Sequence, residues 1–237
     1  PTIVFIHGAG HDHSVWTLQS RYFATHGWNP VVPDLPGHGQ STGPQLTSIE
    51  AIADWVLALL DELGVATATL AGHSMGSLIA LQAASRAPER IRSLVLVGSV
   101  TPMPVAPPLL DATLSARDKA HRMINQWSYA PGSQLGASSI PGLNLTAINE
   151  RLMQRAAPGV LHATSSGRIS RVYPREKRWR IELVLQYKNA ARAARWMGDG
   201  LWASMGGATS IRQGHLAQTL WSTVASNSAR LMGLPYR

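Results

Sequence analysis

Residues 72–76 read Gly72-His73-Ser74-Met75-Gly76, a serine with one glycine two positions before it and another two positions after it. The apolar run 67–70 before this pentapeptide is typical of a buried strand, and residues 77–86 have a helical pattern. A sharp strand-to-helix turn holds a serine in strained backbone geometry and exposes its hydroxyl group. A chance match is the alternative in a chain with 21 glycines. The position between strand and helix favours Ser74 as a nucleophile.

Strands and helices alternate around this turn. Short apolar runs at 2–6, 31–32, 67–70 and 93–97 predict four strands. Strands that are apolar throughout and alternate with helices indicate an α/β fold, with a mostly parallel sheet covered by helices on both faces. In such sheets the reactive groups gather outside the carboxyl ends of the strands.

The sequence predicts one helix with a start signal and a stop signal. Thr47 and Glu50 have the spacing of a capping box, and Gly64 supplies a stop signal. Between them, five apolar residues are expected to share the buried face: Ile52, Val56, Leu59, Leu60 and Leu63.

The first predicted strand ends in the glycine turn His7-Gly8-Ala9-Gly10, which lies at the same sheet edge as Ser74. Acyl transfer needs hydrogen-bond donors where negative charge develops on the carbonyl oxygen. The N–H of Met75, at the start of a helix, is one expected donor, and the N–H of Ala9 is the other. Gly10 is a neighbouring alternative, and a plain tight turn is the alternative to any role in catalysis.

The chain changes character after residue 101. Four prolines occur between residues 102 and 108, and two amphipathic helices are predicted at 111–130 and 145–157. We expect a core at 1–101, a helical cap at 102–163 and a basic segment at 164–237 that is the divergent remainder of the core. Four residues are expected to line a substrate pocket beneath the cap, with simple packing as the alternative: His73, Met103, Leu109 and Trp127.

Three motifs together resemble the α/β-hydrolase superfamily: residues 7–10, residues 34–41 (Asp34-Leu35-Pro36-Gly37-His38-Gly39-Gln40-Ser41) and residues 72–76. The resemblance covers about residues 1–163 and implies the hydrolase fold with a helical cap. It implies an esterase, a lactonase or a carbon–carbon bond hydrolase with an acid and a base completing a triad. The superfamily has two further strands before this chain's first, so we expect a truncated N-terminus.

The resemblance also implies the chain order serine, acid, histidine. His121 and His162 fall in the predicted cap. Gly214-His215-Leu216 resembles the Gly-His pair that carries the superfamily's catalytic histidine, so the resemblance implies His215 as the base. Asp199 loosely resembles the acid. Asp199 and His215 are sixteen residues apart, and the best late strand, 181–187, leads to neither of them.

The net charge of +8 is unevenly distributed. Residues 1–163 carry 9 basic and 10 acidic side chains, and residues 164–237 carry 12 and 3. The basic run at 168–180, with its tryptophan, raises nucleic-acid binding as an alternative. A solvated basic face is the commoner explanation, so nucleic acid is not the expected partner. A replaced, non-native C-terminal segment is the other hypothesis.

The sequence thus predicts a serine hydrolase that cleaves a small apolar carboxylic ester through an acyl-enzyme on Ser74. A non-catalytic protein of the same fold, without a working acid–base pair, is the alternative. No metal and no organic cofactor are expected. No run of eighteen apolar residues predicts a membrane span. The absence of cysteine excludes disulfides and fits a reducing compartment, so a cytoplasmic location is expected.

Overall fold

The computed structural model describes residues 1–99, 103–129, 144–166 and the strand 181–184. The predicted acid and base, Asp199 and His215, lie outside the described residues. So do the loop predicted between the two helices of the cap and the basic run at 168–180.

Five parallel strands form the described sheet, in the spatial order β2-β1-β3-β4-β5. Their bounds are β1 Thr2–Ile6, β2 Asn29–Val31, β3 Ala68–His73, β4 Ile91–Val97 and β5 Ile181–Val184. The prediction of a mostly parallel sheet is confirmed. Strand β3 runs three residues further than its apolar pattern indicates and ends directly before Ser74. Strand β5 pairs with β4, so the segment after residue 163 contributes to this sheet.

The two faces of the sheet are covered by different helices, because successive strand side chains point to opposite sides. Val4 and Ile6 face the helices α2 (Ile49–Glu62) and α3 (Met75–Arg86). Ile3 and Phe5 face a 3-10 turn (His13–Trp16) and helix α1 (Thr17–Thr25). On this second face the ring of Phe5 lies 5.1 Å from that of Trp16 and 5.6 Å from that of Phe23.

Helix α2 begins one residue later than its sequence signal indicates. The Ser48 side chain, not that of Thr47, accepts the hydrogen bond from the Ala51 N–H at 3.1 Å. The predicted capping box is therefore wrong in its first residue. The prediction that Leu63 lies on the buried face is wrong. Its side chain is 49% exposed, because Leu63 is the C-cap residue and lies past the last packed turn.

The predicted stop at Gly64 holds in the structure. Gly64 has a φ of 62° and its N–H donates to the Asp61 carbonyl at 2.9 Å. The next N–H, that of Val65, donates to the Leu60 carbonyl at 2.9 Å. These two bonds form a Schellman motif, which satisfies carbonyls that the helix end leaves open.

Four helices lie between β4 and β5 in the described residues: α4 (Pro107–Ser115), α5 (Arg117–Ser128), α6 (Leu145–Gln154) and α7 (Val160–Ser166). We call them the α4–α7 group. The single helix predicted at 111–130 is wrong, because the chain breaks at Ala116 with a φ of −152°. Prolines 107 and 108 begin α4 rather than interrupt it, since a first-turn proline loses no helical hydrogen bond. The second predicted helix ends at Gln154, and α7 was not predicted.

A small core of its own holds the α4–α7 group together. Its buried members are Leu109, Ala112, Ala120, Met153 and Leu161. Within the described parts of the chain, none of the helices combines the length and apolar character that crossing a bilayer requires.

The cap of α2 gives a testable prediction. Ser48→Ala removes the acceptor of the Ala51 N–H and should lower the free energy of unfolding by about 1 kcal/mol. Thr47→Ala is the matched control, because Thr47 is exposed and lies just outside the helix. It should change the free energy by less than about 0.5 kcal/mol. Urea unfolding of the two variants checks this, and a larger loss in Thr47→Ala would contradict it.

Candidate active site

Ser74 occupies a strained turn between β3 and α3. Its φ of 52° and ψ of −120° make it the one non-glycine residue with positive φ among the residues described. Such a conformation costs on the order of 1–3 kcal/mol and persists only where the surroundings enforce it. Here the Ser74 N–H donates to the Val97 carbonyl at 2.9 Å, and the Ser74 carbonyl accepts from the Ser77 hydroxyl at 2.6 Å.

The two glycines of the pentapeptide are required by close backbone packing. A Cβ atom at Gly72 would overlap the carbonyl group of Gly76. A Cβ atom at Gly76 would overlap the carbonyl oxygen of Ile6 at the end of β1. The start of α3 therefore lies directly against both β3 and β1, which is why the sequence has glycine at these two places.

The loop after β1 faces Ser74 across a cavity of about 160 Å³. Ala9 and Met75 both line this cavity together with Ser74. Met75 is the first residue of α3, and the first N–H groups of a helix have no partner within the helix. The structure thus brings together Ser74, the predicted nucleophile, and the two residues predicted to supply oxyanion donors.

The rest of the cavity wall is mostly apolar and comes from both the sheet side and the α4–α7 group. Met103 and Leu109 line it, as does His73. Trp127 does not line it and is 52% exposed, because it lies on the outer side of α5. The remaining apolar lining consists of Ile49, Leu78, Val105, Ile124 and Leu161.

Two histidines line the cavity beside Ser74. The rings of His11 and His73 stack with their centroids 6.2 Å apart. Burial and, to a smaller extent, the nearby His11 together lower the pKa of His73 to about 4. Burial also lowers the pKa of His11, against the opposing effect of its hydrogen bond with Asn149. Both rings are therefore neutral at pH 7, and no described lining residue carries a charge.

His11 is a site residue that sequence reasoning did not single out. It follows the 7–10 turn directly, and this position next to the predicted oxyanion loop is the signal that could have found it. Its Nε2 lies 2.9 Å from the Oδ1 atom of Asn149, which belongs to α6. That partner is far away in the sequence, so no local pattern indicates the contact.

His7 and His38 hold loops in place instead of facing the nucleophile. His7 is fully buried; its Nδ1 lies 2.9 Å from the Gly8 carbonyl, and its Nε2 accepts from the Leu35 N–H at 3.1 Å. Burial lowers the pKa of His7 to about 3, so the ring is neutral. His38 Nδ1 donates to the Pro36 carbonyl at 3.2 Å.

One group of side chains has the spacing of a metal site in the described part of the chain: Asp12, His13 and Asp34, whose ligand atoms lie within 4.8 Å of one another. Three of their four carboxylate oxygens already accept hydrogen bonds. Asp34 Oδ1 accepts from the His13 N–H at 2.7 Å, and Asp12 Oδ1 accepts from the Ser14 N–H at 2.9 Å. Arg155 faces the other Asp12 oxygen at 3.6 Å. This set braces the loops after β1 and β2.

Neither histidine of the α4–α7 group lines the cavity. His121 is fully buried in α5, and His162 Nδ1 lies 2.8 Å from the Thr113 hydroxyl.

A model of the family described as the alpha/beta hydrolase fold matches residues 1–195. The chain belongs to the α/β-hydrolase family. The match extends beyond residue 163, where the motif resemblance was placed to end, and it includes β5. Membership confirms the resemblance that the three motifs indicated.

Two curated relatives each match about two fifths of the chain. The dihydrolipoyllysine-residue acetyltransferase component of the acetoin cleaving system from Pseudomonas putida is 41% identical over 98 residues, covering 41% of this chain and 26% of that protein. The pimeloyl-[acyl-carrier protein] methyl ester esterase from Neisseria meningitidis is 41% identical over 98 residues, covering 41% of this chain and 30% of that protein. The matched region spans between a quarter and a third of these relatives.

A hydrolase of known structure from Pseudomonas aeruginosa shares the fold. It matches with a TM-score of 0.71 at 20% identity, over 96% of this chain and 89% of its own.

The packing at the strained turn predicts unequal costs for two glycine substitutions. Gly76→Ala should lower the free energy of unfolding by about 3 kcal/mol or more, because its Cβ meets the backbone carbonyl of Ile6. Gly27→Ala is the control: its φ is 77°, but a Cβ there meets no atom within 4 Å. It should cost about 1–2 kcal/mol from backbone strain alone. Urea unfolding of both variants measures the difference, and equal losses would contradict the close approach.

Proposed function

We propose that this chain is a serine hydrolase that cleaves a small, apolar carboxylic ester through an acyl-enzyme on Ser74. The observation that carries the proposal is the strained Ser74 opening onto a mostly apolar cavity without charged side chains. The family match and an esterase among the relatives support hydrolysis as the reaction class.

The proposed reaction has two halves. Ser74 Oγ attacks the carbonyl carbon while His215, oriented by Asp199, takes the hydroxyl proton. The N–H groups of Met75 and Ala9 stabilise the negative charge on the carbonyl oxygen. The protonated base then gives its proton to the leaving alcohol, and the ester bond breaks. A water molecule, deprotonated by the same base, attacks the acyl-enzyme and releases the acid, with the proton returning to Ser74.

The cavity supports a small, uncharged acyl group. A volume of about 160 Å³ is close to that of an apolar cavity able to hold a benzene-sized molecule. Its apolar walls offer no cation to a carboxylate, and the neutral His11 and His73 supply none at pH 7. Burying an unpaired charge there would be costly, so neutral esters are the favoured substrates.

The proposed division of the chain is a core at 1–101, a cap at 102–163 and the remainder of the core at 164–237. The cavity supports a cap, because it lies between Ser74 and the α4–α7 group. The pairing of β5 with β4, and a family match that runs to residue 195, support assigning the start of the last segment to the core.

Replacement of the nucleophile tests the proposal directly. Ser74→Ala should reduce hydrolysis of an activated aryl ester at least a thousandfold and abolish labelling by a fluorophosphonate probe, because no oxygen remains to form the acyl or phosphonyl bond. Ser165→Ala is the matched control, since Ser165 lines the same cavity away from the turn. It should retain turnover and labelling. Full turnover in Ser74→Ala, or no turnover and no labelling in the unmodified chain, would contradict the proposed function and favour a non-catalytic protein.

The assignment of the base has its own test. His215→Gln should reduce ester turnover at least a thousandfold, because Ser74 then lacks its proton acceptor. His121→Gln and His162→Gln are controls outside the cavity and should keep turnover within about threefold. Steady-state kinetics on the three variants tests whether His215 is the base, and circular dichroism verifies that each variant is folded. A loss in either control that exceeds the loss in His215→Gln would overturn the assignment.

A further inference from the structure

A chain of buried and partly buried hydrogen bonds connects the loop after β1 to the α4–α7 group. His11 Nε2 lies 2.9 Å from Asn149 Oδ1. Asn149 Nδ2 donates to Asn125 Oδ1 at 2.7 Å, and Asn125 Nδ2 donates to the Thr146 carbonyl at 3.2 Å. Asn125 and Asn149 are both buried. The two amides therefore depend on each other and on His11 for their hydrogen bonds.

The last member of this chain fixes the direction of every bond in it. The Thr146 carbonyl can only accept, so the group of Asn125 that faces it must be the NH₂. Asn125 then presents its oxygen to Asn149, which must donate through its own NH₂. Asn149 consequently presents its oxygen to His11, and the His11 Nε2 must carry a proton. In a neutral imidazole the other nitrogen, Nδ1, is then a bare acceptor.

The bare Nδ1 of His11 is buried and has no hydrogen-bond partner among the residues that the structure describes. It lies 3.3 Å from the point where a Cβ of Gly8 would stand. His73 Nδ1 lies 3.2 Å from that same point, and Ser74 Cβ lies 3.4 Å from it. His11 also lines the cavity. An unpaired acceptor therefore adjoins the nucleophile, in space that the absence of a side chain at Gly8 leaves open. Leaving such an atom unpaired is costly, which indicates a donor from a ligand.

We propose that His11 Nδ1 accepts a hydrogen bond from a hydroxyl group of the substrate, so that the site selects hydroxylated acyl groups. The apolar cavity holds the hydrocarbon part, and the hydroxyl group lies near the scissile carbonyl. This inference rests on the proposed function, because it names the substrate class for hydrolysis at Ser74. His11 is thus a specificity-determining residue, and Asn149 is the residue that positions its proton.

The neutral state of His11 supports the same role. Burial lowers its pKa, so Nδ1 keeps its lone pair at neutral pH, although the hydrogen bond with Asn149 acts in the opposite direction. A hydroxyl group can donate to that lone pair, whereas an ester carbonyl oxygen or an ether oxygen cannot.

Binding of two matched, unreactive amides tests the inference. Pentanamide and 3-hydroxypentanamide differ by one hydroxyl group, and calorimetry should show about tenfold tighter binding of one enantiomer of the hydroxylated amide. In His11→Phe the ratio of dissociation constants should fall to about one. His162→Phe is the control, because His162 does not line the cavity, and it should keep the tenfold ratio. Equal affinity in the unmodified chain, failure of both amides to bind, or a ratio retained in His11→Phe would overturn the proposal.

A second measurement does not depend on how His11→Phe folds. Nitrogen-15 NMR of the histidine rings should show His11 with a protonated Nε2 and a bare Nδ1 in the unmodified chain. Asn149→Leu removes the oxygen atom that keeps the proton on Nε2 of His11, so the two ring nitrogens should give averaged chemical shifts. The preference for the hydroxylated amide should then decrease at least threefold. A protonated Nδ1 in the unmodified chain would overturn the inference.

The two proposals fail in different ways. Hydrolysis of an aryl ester without any preference for the hydroxylated amide would contradict the role of His11 alone. A tenfold preference in a chain that hydrolyses no ester would contradict the proposed function and leave the acceptor at His11 in place.

Discussion

The structure depends on the contact between the backbone at the start of α3 and the ends of β1 and β3. Gly76 lies against the carbonyl oxygen of Ile6, and Gly72 lies against Gly76. With no Cβ between them, the helix starts immediately after the strand, and Ser74 has to adopt a φ of 52°. The same packing places Met75 at the cavity. A single steric constraint therefore accounts for the exposure of the serine and for the position beside it of Met75, the predicted oxyanion donor.

Close packing also determines the electrostatics around Ser74. Burial lowers the pKa of His7 to about 3 and that of His73 to about 4, and it lowers that of His11 as well. A group of histidines near the nucleophile would carry positive charge if water reached it at mildly acidic pH. Here the rings are neutral, and the hydrogen bonds of His7 and His11 fix the tautomers of those two rings. A ligand is recognised by shape and by its hydrogen-bonding groups, because the described wall offers no charge.

Most of the described core could be predicted from the sequence, because β1, β3 and β4 are mostly apolar and each has a glycine at or just after its end. The errors occur where local signals compete or are weak. Thr47 and Ser48 are adjacent cap candidates, and only the hydrogen bond to Ala51 distinguishes them. Helix α1 was not predicted, because it buries little apolar surface apart from Phe23 and therefore has a weak helical periodicity. The break at Ala116 carries no proline or glycine to mark it.

The candidate site likewise contains residues whose positions follow from the local sequence and a residue whose role follows from distant contacts. Ser74, Met75 and Ala9 belong to short motifs whose geometry follows from adjacent residues, and the sequence predicts their positions. The role inferred for His11 depends on Asn149, a residue 138 positions away. Through Asn149 it depends on Asn125 of α5 and on the Thr146 carbonyl group of α6. A strained turn can therefore be shared by many hydrolases while the hydrogen bonds around it differ. The proposed reaction class thus follows from a local turn, and the proposed choice of substrate follows from contacts between distant segments.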